Sequence, residues 1–124
     1  MLVGAPALPC DPLAGAWELV YAVHKDESGR VVEEMKGGAD KSMKILSKRH
    51  FSFITQDKDE KIVVAGAGTY SLEGGKYTEV VSFTSMDRLM GKTYRFNCAM
   101  KDELWIHTGK EDHLQIEEHW KLLD

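Results

Sequence analysis

A hairpin signal in the middle of the chain places the strongest constraint on the fold. Two runs of alternating side chains flank Gly74-Gly75, and a glycine pair between such runs predicts a two-residue β-turn. This turn pairs Leu72 with Tyr77 and Tyr70 with Glu79, and paired residues share one face of a sheet. The other residues that this register places on the face are Val81 and Phe83. The carboxylate of Glu79 therefore faces an apolar core, where it must be neutralised, hydrogen-bonded or hydrated.

The composition is typical of one globular domain. The chain has 124 residues, 43% of them hydrophobic and 29% charged, which is enough for a core without additional staples. We expect residues 1–12 to form an N-terminal tail and residues 13–124 to form the domain. The formal net charge is −4 and no long basic run occurs, so we predict that the protein does not bind nucleic acid.

Location and redox state follow from what the N-terminus and the cysteines show. No segment has the length and apolar character of a transmembrane helix, and residues 1–12 lack a basic n-region. We therefore expect a cytoplasmic protein without membrane partners, or a periplasmic or secreted one if the start is misplaced. Cys98 lies among alternating apolar residues, so we expect a free buried thiol rather than a disulfide with Cys10.

Alternating patterns recur along the chain at regular intervals. The first, at residues 16–24, directs Trp17, Leu19, Tyr21 and Val23 to one face. A long polar connection follows at residues 25–41. Further strands are predicted at residues 42–46, 50–55, 62–73, 76–84, 92–100, 104–108 and 113–122, with a bulge signal at Gly66 and Gly68. Short turns and the lack of an amphipathic helix favour an all-β, antiparallel up-and-down barrel of about eight strands.

The turn around residues 47–49 leaves the register of one hairpin open. An odd-length turn directs Met43 and Ile45 to the interior, whereas a two-residue turn would pair Lys44 with Phe53. We prefer the odd-length turn because it buries more apolar side chains.

The turn at residues 101–103 poses the same problem. Three turn residues direct Leu104 and Ile106 to the interior, whereas two would direct Trp105 and His107 there. We prefer the first register, again because it buries more apolar side chains.

Short motifs resemble a known superfamily. Gly15-Ala16-Trp17 at the start of the first strand resembles the Gly-x-Trp signature of lipocalins and the wider calycins. Further motifs resemble an uncharacterised bacterial lipocalin-like family: Lys48-Arg49-His50-Phe51-Ser52-Phe53, Gly68-Thr69-Tyr70, Tyr77-Thr78-Glu79 and Glu118-His119-Trp120. The resemblance implies a calycin barrel and no settled activity. It also implies that a basic residue near the end of the last strand covers Trp17, and Lys121 stands there where an arginine would be more usual.

A polar set inside the predicted barrel is the candidate site. Glu79 and Glu118 both fall near mid-depth, while Trp17 and Trp120 meet below them as a plug. An apolar wall with a few polar groups is typical of a small-molecule site. The predicted ligand-binding residues are Tyr21, Tyr70, Tyr77, Glu79, Tyr94 and Glu118.

The sequence allows three alternatives to a ligand site: a structural role for the carboxylates, an enzyme and an interaction module. The carboxylates can bond tyrosine hydroxyls or water and only set the strand register. Glu79 or Glu118 can act as the general acid or base of an isomerase or hydrolase. Alternatively, Leu89 and Met90 can form an interaction surface at the mouth of a filled barrel.

The sequence indicates no cofactor and no metal. His24, His107 and His113 lie toward the mouth without the same-face spacing of a ligand set. Gly66 and Gly68 precede a strand, so they do not form a phosphate-binding loop. The expected partner is a small molecule of unknown identity, and the sequence allows a homodimer.

Overall fold

The computed structural model describes residues 10, 12–35 and 40–124. Within those ranges it has nine strands and one 3₁₀ helix, Asp87–Leu89. The strands are β1 (Gly15–Lys25), β2 (Val31–Met35), β3 (Lys41–Leu46), β4 (His50–Gln56), β5 (Ile62–Glu73), β6 (Lys76–Thr84), β7 (Thr93–Lys101), β8 (Leu104–Glu111) and β9 (Leu114–Leu122). The predicted all-β class is confirmed.

The strands form a closed up-and-down barrel, as predicted. From β3 to β9 each strand pairs with the next, and β1 closes the sheet by pairing with both β3 and β9. β2 lies outside this circuit. It pairs with residues 22–25 of β1, on the edge where residues 15–18 of β1 pair with β3. β2 lies within the stretch predicted as a long connection, at residues whose pattern allowed either a short strand or a turn of helix.

One end of the barrel, which we call the base, is closed. It carries the turns at residues 47–49, 74–75 and 102–103, together with the C-terminal segment. Gly15 lies here at φ 142°, and a Cβ atom on it would lie 2.7 Å from the carbonyl oxygen of Asp124. The tight approach explains the glycine of the Gly-x-Trp signature. The opposite end, the mouth, carries the loops at residues 26–30, 57–61, 85–92 and 112–113.

The central hairpin has the predicted register. Leu72 pairs with Tyr77 and Tyr70 pairs with Glu79 across the Gly74-Gly75 turn. The predicted bulge is also present, because the pairing shifts between Ala67 and Gly68. A Cβ atom on Gly68 would collide with the carbonyl group of Val80, so only glycine fits.

The bulge changes the face of one aromatic residue. Gly68 pairs with Val81 and Ala67 pairs with Phe83, so one residue of β6 is left over between them. Phe83 is consequently 72% exposed, and its predicted place on the core face is wrong.

The preferred register of the β3–β4 hairpin is wrong. Lys44 pairs with Phe53 and Leu46 with Phe51, which is the register of a two-residue turn. Lys44 is only 5% exposed, whereas Ile45 is on the outer surface. Counting apolar side chains failed here because the interior accommodates a lysine.

The preferred register of the β7–β8 hairpin is wrong for a related reason. Lys101 pairs with Leu104 across a two-residue turn, so Trp105 and His107 point inward and both are buried. The turn residues Asp102 and Glu103 have φ values of 53° and 65°. Such a turn usually contains glycine or asparagine. Neither residue type occurs at positions 102–103, so the sequence did not indicate a two-residue turn.

A bulge in β1 moves Tyr21 out of the barrel. The pairing with β9 shifts between Leu19 and Tyr21, after which Tyr21 pairs with His119. His119 alternates with the inward-facing Glu118 and Trp120, so its partner Tyr21 lies on the outer face. The predicted inward direction of Tyr21 is therefore wrong.

The corrected registers leave an apolar groove on the outer surface. The groove has a volume of about 410 Å³ and lies across β3 to β6. Its exposed apolar side chains are Met43, Ile45, Ile54 and Phe83. The buried charged groups of the barrel lie in a separate cavity, so the groove does not share their chemistry.

The cysteines form a disulfide, contrary to the expected free thiol. Cys10 and Cys98 are bonded across 88 positions of sequence. Both are buried in the core together with Leu13, whose carbonyl oxygen accepts a hydrogen bond from Trp17 Nε1 at 2.9 Å. The segment that enters β1 therefore packs into the base and is tied there.

We predict that reducing this disulfide lowers the free energy of unfolding by about 3 kcal/mol, because the bond restricts a long loop of the unfolded chain. Urea unfolding with and without reductant measures the difference. Cys10→Ser is the control, since reductant should not destabilise it further. Equal stability of the wild-type chain with and without reductant would contradict the prediction.

Candidate functional site

A cavity of about 300 Å³ lies inside the barrel. Its volume is at the lower end of the range for small-molecule sites. Apolar side chains such as Phe53, Val81 and Phe96 form much of its wall. The polar side chains that line it include Lys44, Glu79, Tyr94, His107, Glu111 and Glu118, and toward the mouth also His24, Glu33, Asp40, Ser42, Thr55 and Arg88.

The cavity rests on an aromatic floor, formed by Trp17, Tyr77, Trp105 and Trp120. The ring of Trp105 lies 5.5 Å from Trp17, 5.5 Å from Tyr77 and 5.9 Å from Trp120, measured between centroids. Edge-to-face and tilted contacts of this kind stabilise a core beyond simple burial. Trp17 and Trp120 were predicted to meet near the base, and Trp105 is the ring that joins them.

Lys44 projects onto this floor from β3. Its Nζ lies 5.6, 5.3 and 5.0 Å from the ring centroids of Tyr77, Trp105 and Trp120, respectively. The same atom lies 4.0 Å from Glu79 Oε1. Cation–π attraction and an ion pair together offset the cost of burying an ammonium group.

Glu79 is the carboxylate that the central hairpin places inside. It is 7% exposed, and its Oε2 has no hydrogen-bond partner among the described residues. Burial raises its pKa, the charge of Lys44 opposes that rise, and Glu118 adds to it. Burial and the charge of Lys44 therefore act on the pKa of this carboxyl group in opposite directions, and one of its oxygens has no hydrogen-bond partner in the described part of the chain.

His107 and Glu118 come together beside it. His107 Nε2 lies 3.9 Å from Glu118 Oε1, and the same oxygen accepts a hydrogen bond from Trp120 Nε1 at 3.2 Å. Burial lowers the His107 pKa well below its ordinary value, and Lys44 adds to that effect. The imidazole is therefore neutral, and its buried Nδ1 has no partner among the described residues.

Glu111 and Tyr94 line the cavity from β8 and β7, near the mouth. Burial raises the pKa of Glu111 to about 7, and the carboxylates of Glu118 and Glu79 add to the rise. Burial also raises the Tyr94 pKa, with Glu111 contributing, so its hydroxyl keeps its proton. That buried hydroxyl has no partner in the described part of the chain.

Three of the six predicted ligand-binding residues line the cavity: Glu79, Tyr94 and Glu118. Tyr77 lies below it in the floor and is fully buried. Tyr70 lies nearer the base, where its hydroxyl donates to the carbonyl oxygen of Ser47 at 2.5 Å. These two tyrosines stack on each other, with ring centroids 5.5 Å apart, and support the site from beneath.

The other predicted positions lie away from the cavity. Tyr21 donates a hydrogen bond to Glu34 Oε2 on β2 at 2.9 Å, on the outer face. Lys121 is exposed and alternates with Trp120, so it lies on the opposite face of β9 from the floor. Among the described residues, Lys44 and not Lys121 places its ammonium group over tryptophan rings.

Sequence reasoning missed Lys44, His107 and Glu111. Lys44 and His107 point inward in the two-residue-turn registers that we considered for their hairpins and did not prefer. Glu111 follows from the β8 register once His107 points inward, because residues of equal parity share a face. No group of three or more histidine, cysteine, aspartate or glutamate side chains among the described residues is arranged to hold a metal ion.

The closed barrel and its polar cavity define a lipocalin-like β-barrel protein, and comparison with known structures agrees. The chain is similar to a lipocalin-like protein from Bacteroides uniformis ATCC 8492 of known crystal structure, with a TM-score of 0.59 and 17% identity. The similarity covers 90% of this chain and 98% of that one. At this identity the likeness shows the fold alone.

The chain belongs to the family described as a domain of unknown function (DUF4488), whose model matches residues 12–124. None of the curated proteins matches the sequence. Among the described residues, no helix has the length and apolar character needed to cross a bilayer.

We predict that Lys44→Met destabilises the protein by about 3 kcal/mol or more near neutral pH, because it leaves Glu79 buried without its cation. The pKa of Glu79 then rises further, so the penalty is largest at high pH and shrinks as the pH falls and the carboxyl group is protonated. Urea unfolding across pH measures this. Lys48→Met, at an exposed turn, is the control, and adding Glu79→Gln to Lys44→Met should recover part of the loss.

We predict a second pH effect from Glu111. Its pKa in the folded protein is about 7, against 4.5 for the free side chain. Because the folded state holds the proton more tightly, stability is greatest below pH 4.5 for this group and falls by at most about 3 kcal/mol as the pH rises through 7. Glu111→Gln should remove this part of the slope, whereas the exposed Glu73→Gln should not. An unchanged slope in Glu111→Gln would contradict the assignment.

Proposed function

We propose that the protein binds a small molecule inside the barrel. The observation that carries the proposal concerns three of the five buried polar side-chain atoms that have no hydrogen-bond partner among the described residues: Glu79 Oε2, Tyr94 Oη and His107 Nδ1. All three residues line the same cavity. An unsatisfied buried polar atom costs about 1–3 kcal/mol, so a guest that bonds to these atoms gains affinity from a cost already present in the free protein.

The cavity wall supports an amphipathic guest. Phe53, Val81 and Phe96 offer apolar surface, while the polar groups occupy only part of the lining. Sites of this composition use the apolar wall for affinity and the few polar groups for orientation. A cavity of about 300 Å³ favours a compact molecule over a long-chain lipid.

An enzyme that uses Glu79 or Glu118 as general acid or base is the second candidate. Burial raises the pKa of Glu79, and this supports the second candidate, because a carboxyl group that holds its proton more tightly is better suited to general acid–base catalysis. The interaction-module alternative has less support. Leu89 is buried at 6% exposure, which leaves Met90 at 53% as the exposed member of the pair.

The compartment is also part of the proposal. The Cys10–Cys98 disulfide supports the periplasmic or secreted alternative over the cytoplasmic one, since structural disulfides persist where thiols are not kept reduced. The homodimer that the sequence allows stays a prediction.

We predict that native mass spectrometry of freshly purified protein detects a bound small molecule that is lost on denaturation. Glu79→Gln should lower the bound fraction while the unfolding transition stays cooperative, because it changes an atom that contacts the guest. Glu73→Gln, at the base hairpin outside the cavity, should retain the wild-type fraction. The proposal fails if the protein carries no small molecule and none in a library of compact amphipathic compounds raises its melting temperature.

A further inference from the structure

The charges around the cavity are strongly unequal. Five carboxyl groups line it: Glu79 from β6, Glu111 from β8 and Glu118 from β9, together with Glu33 on β2 and Asp40 before β3. Among the described residues, one buried lysine, Lys44, accompanies them. Arg88 also touches the cavity, but it belongs to the mouth and is exposed.

The ammonium group of Lys44 already has partners. Its Nζ is shared between Glu79 Oε1 and the three rings of the aromatic floor. His107 is the other basic group near Glu118, and burial keeps its imidazole neutral by lowering its pKa. Glu111 has no cationic partner within 4.0 Å among the described residues. The basic group within that distance of Glu118 in the same part of the chain is this neutral imidazole. The interior thus carries more negative charge than its own cations compensate.

The hydrogen-bond acceptors of the cavity also favour a guest with positive charge. When ionised, the free oxygen of Glu79 accepts hydrogen bonds and donates none, and the same holds for the carboxylates of Glu111 and Glu118. The Tyr94 hydroxyl can accept as well as donate. A guest that supplies several N–H donors matches these oxygens, whereas a carboxylate or phosphate guest would bring further acceptors and negative charge.

From this arrangement we infer that the ligand carries a cationic nitrogen, in the form of a protonated primary amine, on a compact apolar body. The ammonium group sits among Glu111, Glu118 and the free oxygen of Glu79, and the body packs against the apolar wall. The inference rests on the proposed function, which it makes specific. It does not depend on the acidic cluster alone, because Glu79 and His107 each have a buried polar atom without a partner at the cavity.

A cationic guest has a distinctive effect on protonation. Glu111 faces Glu118 on β9, Glu79 on β6 and Lys44 on β3, with Asp112 beside it in the turn. A bound ammonium group stabilises the ionised form of Glu111, so amine binding releases a proton when the pH is near or below the pKa of about 7. Affinity for the amine should therefore rise as the pH rises toward 8, whereas binding of a neutral guest should not release a proton.

The test compares three probes of nearly equal shape and different charge: 2-phenylethylamine, 2-phenylethanol and phenylacetate. Isothermal titration calorimetry with the full chain near pH 7.5 gives their affinities. We expect the amine to bind at least about tenfold more tightly than the alcohol, and the carboxylate to bind least, as one uncompensated charge pair at partly buried sites would produce. Titration in buffers of different ionisation enthalpy should reveal the released proton for the amine alone.

Single Glu→Gln variants inside and outside the cavity show which carboxyl groups bind the amine. Glu118→Gln and Glu111→Gln should each weaken amine binding about tenfold and weaken binding of the alcohol much less, and Glu73→Gln, outside the cavity, should change neither. Retained alcohol binding also shows that each variant folds.

Each outcome is decisive. If the alcohol or the carboxylate binds as tightly as the amine, the inference is wrong and the binding function stands. If no probe binds and the purified protein carries no small molecule, both are wrong.

Discussion

The burial of the Lys44 ammonium group is the interaction on which the interior depends. An isolated charge could not remain in such a place, because its loss of hydration would cost more than the fold can supply. Glu79 from β6 and the rings of Tyr77, Trp105 and Trp120 from β6, β8 and β9 provide the compensation. One side chain of β3 is thereby coupled to three strands across the barrel, and the aromatic floor serves as packing and as electrostatic support together.

The central hairpin shows what the sequence can predict. Gly74-Gly75 marks the turn, strict alternation sets the faces, and together they place Glu79 inside correctly. The bulge near Gly68 also has a readable signal, because a glycine in a strand indicates close backbone approach. The bulge after Leu19 has none: no glycine or proline marks it, and Tyr21 was misplaced as a result.

The two misread hairpins share a cause. Both registers were chosen to bury the most apolar side chains, which assumes an apolar interior. The real registers turn Met43 and Ile45 outward and bring in Lys44, and they turn Leu104 and Ile106 away and bring in His107. A rule based on hydrophobicity fails where a cavity contains charged groups, and such failures mark candidate sites. The left-handed Asp102-Glu103 turn contributed to the wrong register, since a glutamate such as Glu103 seldom adopts a positive φ.

The arrangement of the three tryptophans has an optical consequence. The chain contains three, and all of them, Trp17, Trp105 and Trp120, lie buried in the floor. Trp120 also borders the cavity, so the near-ultraviolet emission of the whole protein originates within a few side chains of any guest. The unlabelled chain thus contains its own fluorophore beside the cavity, where a change in polarity, hydration or quenching by neighbouring carboxyl groups would alter the emission.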